Sequence, residues 1–117
     1  MRHLCYEEVM HRDDVLAALR ANADTIRRFG VTALFLYGSA ARDEASDRSD
    51  IDLFVDVDYS RFGFVPYMEL RDFLTELFRR NVDVTTRNAL HPDLKRRIVK
   101  SALKVFDESQ IDPVAAE

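Results

Sequence analysis

The chain reads as a small α/β (α+β) domain, a mixed β-sheet flanked by helices, and three features of its 117 residues predict this. Val31 to Tyr37 and Ile51 to Val57 are continuous apolar runs of strand length, the mark of strands buried on both faces. Leu70, Phe73, Leu74, Leu77 and Phe78 form one apolar stripe at helical spacing. Strand-like and helix-like segments then alternate, and helices laid on a sheet bury both kinds of apolar face in two layers.

Each element has its own signal. Asp13 to Phe29 carries Val15, Ala18, Leu19, Ile26 and Phe29 at helical spacing, with Asp13 and Asp14 at the positive end and Gly30 as a C-terminal cap. The spacing predicts one helix over this range. Residues 3 to 10 give a poor signal for a lead-in turn. The strands over Val31–Tyr37 and Ile51–Val57 follow, with a short helix after the Gly38-Ser39 turn. Pro66 suits a first helical position and opens the next helix. Val82 to Thr86 is a β-branched strand. His91 precedes Pro92, which opens a last helix expected to turn Leu94, Ile98, Ser101 and Ala102 inward, and Lys104 to Phe106 adds a short final strand. Residues 112 to 117 read as a tail. The expected organisation is a single domain over 1–117 with its core at about 13–106, since a chain of this length carries one core and not two.

Composition narrows the class. Hydrophobic content of 47% with 32% charged residues is that of an ordinary globular domain. A net charge of −4 leaves no strong nucleic-acid signal. One cysteine, Cys5, excludes an internal disulfide and fits a reducing cytoplasm. No apolar stretch approaches membrane-spanning length, so the expected location is cytoplasmic, with no membrane partner.

The most informative pattern is the ten-residue interval between Gly38-Ser39 and Asp50-Ile51-Asp52. Side chains alternate along a strand, so Asp50 and Asp52 face the same way. Two carboxylates on one face suit hard cations such as Mg²⁺, and a pair of ions about 3.5–4 Å apart can clamp an in-line phosphoryl displacement. A Gly-Ser turn offers backbone N–H groups and a hydroxyl to phosphates. Asp52 lies inside an apolar run that holds no cation, where an unpaired carboxylate carries a desolvation cost that a metal would offset. Asp83, central in Val82-Asp83-Val84, is a third carboxylate, in a run expected to be buried and in the same cleft, as metal ligand and general base; alone it reads equally well as an exposed strand-edge residue. Arg42 matches phosphate geometry, or else pairs with Asp43 or Glu44 on the surface. Lys95, Arg96, Arg97 and Lys100 give the last helix a basic face.

These residues resemble a known family. Gly38-Ser39, ten residues, Asp50-Ile51-Asp52 and a later Asp83 are similar to the motif of the DNA polymerase β nucleotidyltransferase superfamily. Gly38-Ser39-Ala40-Ala41-Arg42 and Ser49-Asp50-Ile51-Asp52-Leu53 resemble its minimal nucleotidyltransferase (MNT) family, as do Arg28-Phe29-Gly30-Val31, Val82-Asp83-Val84 and the pattern from Leu90 to Ala102. The resemblance implies a polymerase-β-like fold and an antitoxin that forms a hetero-oligomer with a HEPN-domain ribonuclease toxin and transfers AMP from ATP to a tyrosine of it. It implies that Asp50, Asp52 and Asp83 bind Mg²⁺, with two ions expected, and that Gly38, Ser39 and Arg42 hold the nucleotide. The family often has Gly after the arginine; here Asp43 stands there, adding negative charge near the phosphate site. Two other functions compete: a non-catalytic module that silences its partner by occlusion, and a small-molecule nucleotidyltransferase. The three carboxylates speak against the first, and the lack of a second domain to cradle an acceptor against the other.

Overall fold

A computed structural model describes residues 11–43 and 50–108. Helices α1 (Arg12–Ala21) and α2 (Ala23–Arg28) lead into β1 (Val31–Tyr37) and a one-turn helix α3 (Gly38–Ala41). Then come β2 (Ile51–Val57), α4 (Phe64–Phe78), β3 (Val82–Thr86), a 3₁₀ turn (Arg87–Ala89), α5 (Pro92–Ser101) and β4 (Leu103–Phe106). The sheet order is β3-β2-β1-β4, with β1 antiparallel to both β2 and β4, and β2 parallel to β3. The mixed sheet and its three strand ranges before residue 90 agree with the sequence. The Lys104–Phe106 strand begins one residue earlier.

Three expectations about helices need correction. The helix over Asp13 to Phe29 is two helices: the chain leaves helical geometry at Asn22, whose side-chain amide donates to the Ala18 carbonyl at 2.8 Å. An Asn side chain that bonds local backbone competes with helix propagation. Helix α4 starts at Phe64, so Pro66 is its third residue and not its first. Helix α5 buries none of its residues: Leu94 and Ser101 are exposed, Ile98 and Ala102 half-buried. Its start is as expected, with Pro92 in the first turn and the Asp93 N–H donating to His91 Nδ1 at 3.2 Å. The lead-in at 3–10, Ser49 and the tail at 112–117 lie outside the described residues.

One face of the sheet carries the core. Leu34, Leu36, Ile51, Leu53, Val55, Val82 and Val84 pack with Val15 and Leu19 of α1, Ile26 of α2, and Leu70, Leu74 and Phe78 of α4. The strands are therefore covered chiefly on one side, although their runs suggested both. On the other face, Phe35 stacks on Phe54 with ring centroids 4.7 Å apart, and Phe54 is fully buried. Arg87 covers that pair, its guanidinium 4.9 Å and 5.2 Å from the two ring centres and doubly bonded to Asp56 at 2.8 Å. The charge on Arg87 is matched, its plane is stacked, and an aromatic pair is shielded from water. Among the described residues no helix is long and apolar enough to cross a membrane.

Candidate active site

The strand register brings the sequence-predicted residues together. Tyr37 on β1 pairs with Asp52 on β2, and Asp52 pairs with Asp83 on β3, so the three share a face at one end of the sheet. Asp50 precedes β2 by one residue and Asp52 by two, which turns it to that side. Two contacts hold this register: the Ile51 N–H donates to the Asn81 carbonyl at 3.1 Å, and the Tyr67 hydroxyl of α4 donates to the Val84 carbonyl at 3.2 Å.

Gly38 and Ser39 open α3 directly after β1. The first N–H groups of a helix have no acceptor within it, which leaves them available to a ligand. Gly38 has φ +76° and lies so close to Asp52 that a Cβ built there would land on its carboxylate. Only glycine meets both demands, because the left-handed backbone and the absent side chain are needed at once. Arg42 ends α3, and its positive charge acts on Asp52 from outside the apolar run that lacked a cation.

Asp52 is half-buried, and its pKa is raised, first by burial and then by the charges of Asp83 and Asp50; Arg42 opposes the shift. The Tyr37 hydroxyl is pushed up to about 12, first by burial, then by Asp52 and Asp83. Both shifts begin with burial, and the negative charge crowded at this sheet end adds to it, with Arg42 as the opposing cation at Asp52. Asp50 and Asp83 are exposed, which corrects the expectation that Asp83 is buried. β3 is an edge strand, so only its Val82 and Val84 side reaches the core.

These donors fit divalent magnesium in kind. They are hard oxygens, drawn together by register and repelling one another in its absence, and none has a hydrogen-bond or ion-pair partner among the described residues. They do not form a closed cage: among the described residues no three acidic, histidine or cysteine side chains gather closely enough to enclose an ion. An open set suits Mg²⁺, which keeps several ligand positions for water and substrate phosphates.

Asp43, the departure from the family pattern, sits at φ +61°, the backbone region that glycine favours. Its carboxylate accepts from the Arg12 N–H at 2.9 Å and lies 3.7 Å from His11 Nδ1. It thus caps the start of α1, and its pKa is lowered, chiefly by the Arg12 hydrogen bond. Sequence reasoning missed this cap, and it missed Arg87 and Asp56, because each joins residues 31 apart.

Comparison with known proteins identifies the family and the fold. The polymerase β nucleotidyltransferase family model matches residues 23–111. A protein assigned as a protein adenylyltransferase of Methanocaldococcus jannaschii is 36% identical over 79 residues, 68% of this chain and 84% of the relative. The protein adenylyltransferase MntA of Thermococcus cleftensis is 27% identical over 94 residues, 80% of this chain and 94% of its own. Among solved structures, a minimal nucleotidyltransferase superposes with a TM-score of 0.71 at 28% identity, covering 80% of this chain and 95% of that one. The MNT antitoxin in complex with a tri-AMPylated HEPN toxin of Shewanella oneidensis shares the fold, with a TM-score of 0.57 at 17% identity, over 81% and 75% of the two chains. With the family model matching residues 23–111 and the Methanocaldococcus relative 36% identical, this chain belongs to the minimal nucleotidyltransferases of the polymerase β family and is an enzyme of that class.

Proposed function

We propose that the chain transfers AMP from ATP to a tyrosine hydroxyl of a HEPN-domain toxin and so acts as the antitoxin of a toxin–antitoxin pair. The observation that carries this reading is the register pairing of Asp52 with Asp83, beside a Gly38 whose missing side chain makes room for the Asp52 carboxylate. The partner is suggested by the toxin complex of the Shewanella relative, and the adenylyl group by the names of the archaeal relatives.

In this mechanism Gly38 and Ser39 receive the triphosphate through backbone N–H groups and the serine hydroxyl, and Arg42 adds a guanidinium for a phosphate oxygen. Asp50, Asp52 and Asp83 would hold Mg²⁺, two ions in the fuller form, which supplies charge neutralisation for the phosphates and the departing group. The tyrosine oxygen attacks the α-phosphorus, the bond from that phosphorus to the β-phosphate oxygen breaks, and pyrophosphate leaves. Asp83, exposed on the edge strand, is open to an acceptor arriving from a separate chain and takes the phenolic proton.

The test uses ATP labelled at the α-phosphate, magnesium and the partner toxin. Label is expected on the toxin with the wild-type chain, and not after Asp52→Ala, EDTA or replacement of the accepting tyrosine by phenylalanine. Equal labelling after Asp52→Ala or in EDTA would sink the assignment. Full silencing of the toxin by an Asp50→Ala/Asp52→Ala chain would favour occlusion instead.

A further inference from the structure

A second charged site lies at the far end of the sheet. Arg27, Arg28, Val31, Thr32 and Arg61 line an open cavity of about 200 Å³. Val31 begins β1 and Gly38 follows its end, so seven strand residues at about 3.3 Å each put roughly 20 Å between this cavity and the Gly38-Ser39 turn. The two sites do not overlap.

The arginines are held in place by contacts that leave charge to spare. The Arg27 guanidinium lies over the Phe106 ring at 4.4 Å and gives one nitrogen to Asp24 at 3.1 Å. Its Nε is buried and has no hydrogen-bond partner among the described residues. Arg61 arrives from a different loop and donates to the Arg27 carbonyl at 3.0 Å, while the Asp58 N–H donates to the Gly30 carbonyl at 2.9 Å and fastens that loop to the α2–β1 turn. Gly30 has φ +102°, and Phe62 packs within 3.1 Å of where its Cβ would be, so the two segments are closely seated. Arg28 has no ion pair or hydrogen bond among the described residues. Asp58, the other nearby carboxylate, accepts on one oxygen from the Ser60 N–H and hydroxyl and also feels the charge of Arg61. That leaves Arg28 as the arginine of the three with no acidic neighbour acting on it among the described residues.

A purely structural role explains part of this. Arg27 and Arg28 stand in the last turn of α2, where cations complement the helix dipole. Arg61 donates to the Arg27 carbonyl of that same turn, which is a helix-end contact, but none of this explains why three arginines line one open cavity. Three arginines lining one cavity give it a positive potential that favours an anion there. Arginine forks match tetrahedral oxyanions, and several forks together suit an anion with many oxygens. At about 30 Å³ per water, the cavity holds the equivalent of roughly six waters, room enough for a phosphate chain.

We propose that Arg27, Arg28 and Arg61 form a binding site for a diphosphate group, separate from the carboxylate site. That group is either a free diphosphate or the terminal phosphates of a nucleotide. The inference goes beyond the proposed reaction and does not depend on it.

The test is calorimetric titration of pyrophosphate and of ATP into the full chain carrying Asp50→Asn and Asp52→Asn, in EDTA, so that metal-dependent binding at the carboxylates is silent. Amide shifts at Val31 and Thr32 report the location. Saturable one-to-one binding is expected, weakened about tenfold by Arg28→Gln and further by Arg28→Gln/Arg61→Gln, the loss of one charge-assisted bond at each step. Arg28→Gln should leave the thermal midpoint unchanged, which separates lost binding from lost structure. Tighter binding of ATP than of pyrophosphate identifies a nucleotide as the source, and equal binding a free diphosphate. A response no larger than that to chloride at equal ionic strength, or equal affinity in the double arginine variant, overturns the site. Because the carboxylates are already disabled, either result leaves the transferase reading where it stands.

Discussion

Asp52 and Asp83 stand opposite each other in the parallel pairing of β2 with β3, two carboxylates of adjacent strands on one face with the Tyr37 ring beside them. The arrangement costs the free protein stability, because nearby like charges and partial burial both disfavour the ionised Asp52. A site that a bound cation would relieve is one that folding alone would not select. This is a common form of the trade between stability and activity.

That cost is measurable. A carboxyl whose folded pKa is raised contributes fully to stability below the ordinary carboxylate range, and the contribution is lost as pH rises through the raised value. At neutral pH the charge on Asp52 therefore opposes folding. Asp52→Asn should stabilise the metal-free chain on the order of 0.5–2 kcal/mol, and the gain should shrink as pH falls through the Asp52 titration. Mg²⁺ with a non-hydrolysable ATP analogue, at a hundred times its Kd, should add about 2.7 kcal/mol to the wild type and little to the variant. Thermal melts across pH, with and without these ligands, check both parts. A variant less stable than wild type at neutral pH would contradict the crowding argument.

Gly38→Ala tests the close approach. The added methyl meets the Asp52 carboxylate while the backbone is held at φ +76°, so the expected cost is about 1–3 kcal/mol of strain. Label transfer should fall even where the chain stays folded, because relief requires Asp52 to move. Denaturant unfolding and transfer rates, measured on one preparation, separate the two effects.

Asp43 offers a comparison of three residues. Asp43→Ala removes the cap on α1 and keeps the left-handed backbone at φ +61°, whereas Asp43→Gly removes the cap and relieves the backbone. The expected order of thermal midpoints is Ala below Gly, with Asp above Ala. The Asp43 carboxyl is held below its ordinary range, so the capping contribution is full above that range and is lost as pH falls through the lowered value. The difference between Asp and Ala should therefore vanish in strong acid. A difference that persisted there would place the effect in the backbone alone.

Arg87 and Asp56 were not legible in the sequence, and the reason is physical. Their pairing depends on β2 and the turn after β3 being neighbours, a tertiary fact with no local spacing to announce it. The first three strands were legible residue by residue, because apolar runs bounded by polar ones leave few alternatives. The same logic misled at Asp83: two buried valines flank it, yet on an edge strand the alternate position faces water. It misled again at α5, whose apolar spacing is regular while no residue on it is buried. Asn22 fits a helix in composition, and only its bond to Ala18 shows the break.

The Arg87 lid gives its own prediction. Arg87→Ala should cost about 1–2 kcal/mol, less than a fully buried pair, because both side chains remain about a third exposed. Arg87→Lys should recover less than half, since lysine keeps the charge but neither the fork to Asp56 nor the flat stack on Phe35 and Phe54. Urea unfolding of the three chains decides it. A lysine variant equal to wild type would reduce the lid to a simple charge pair.

Asp83 yields the sharpest separation of stability from chemistry. It is exposed on an edge strand, so Asp83→Asn removes no packing and should leave the unfolding midpoint within about 0.5 kcal/mol of wild type or slightly above it, as repulsion with Asp52 is relieved. If Asp83 is the base, transfer to the partner should fall by about 10²–10⁴-fold. ATP binding should survive in part, because Gly38, Ser39, Asp50 and Asp52 are untouched. Single-turnover transfer measured beside ATP affinity tells the roles apart. A steep loss of rate with modest loss of affinity assigns Asp83 to proton transfer, and parallel losses assign it to metal binding alone. A near-normal rate would remove Asp83 from the site and leave its pairing with Asp52 as a feature of the sheet.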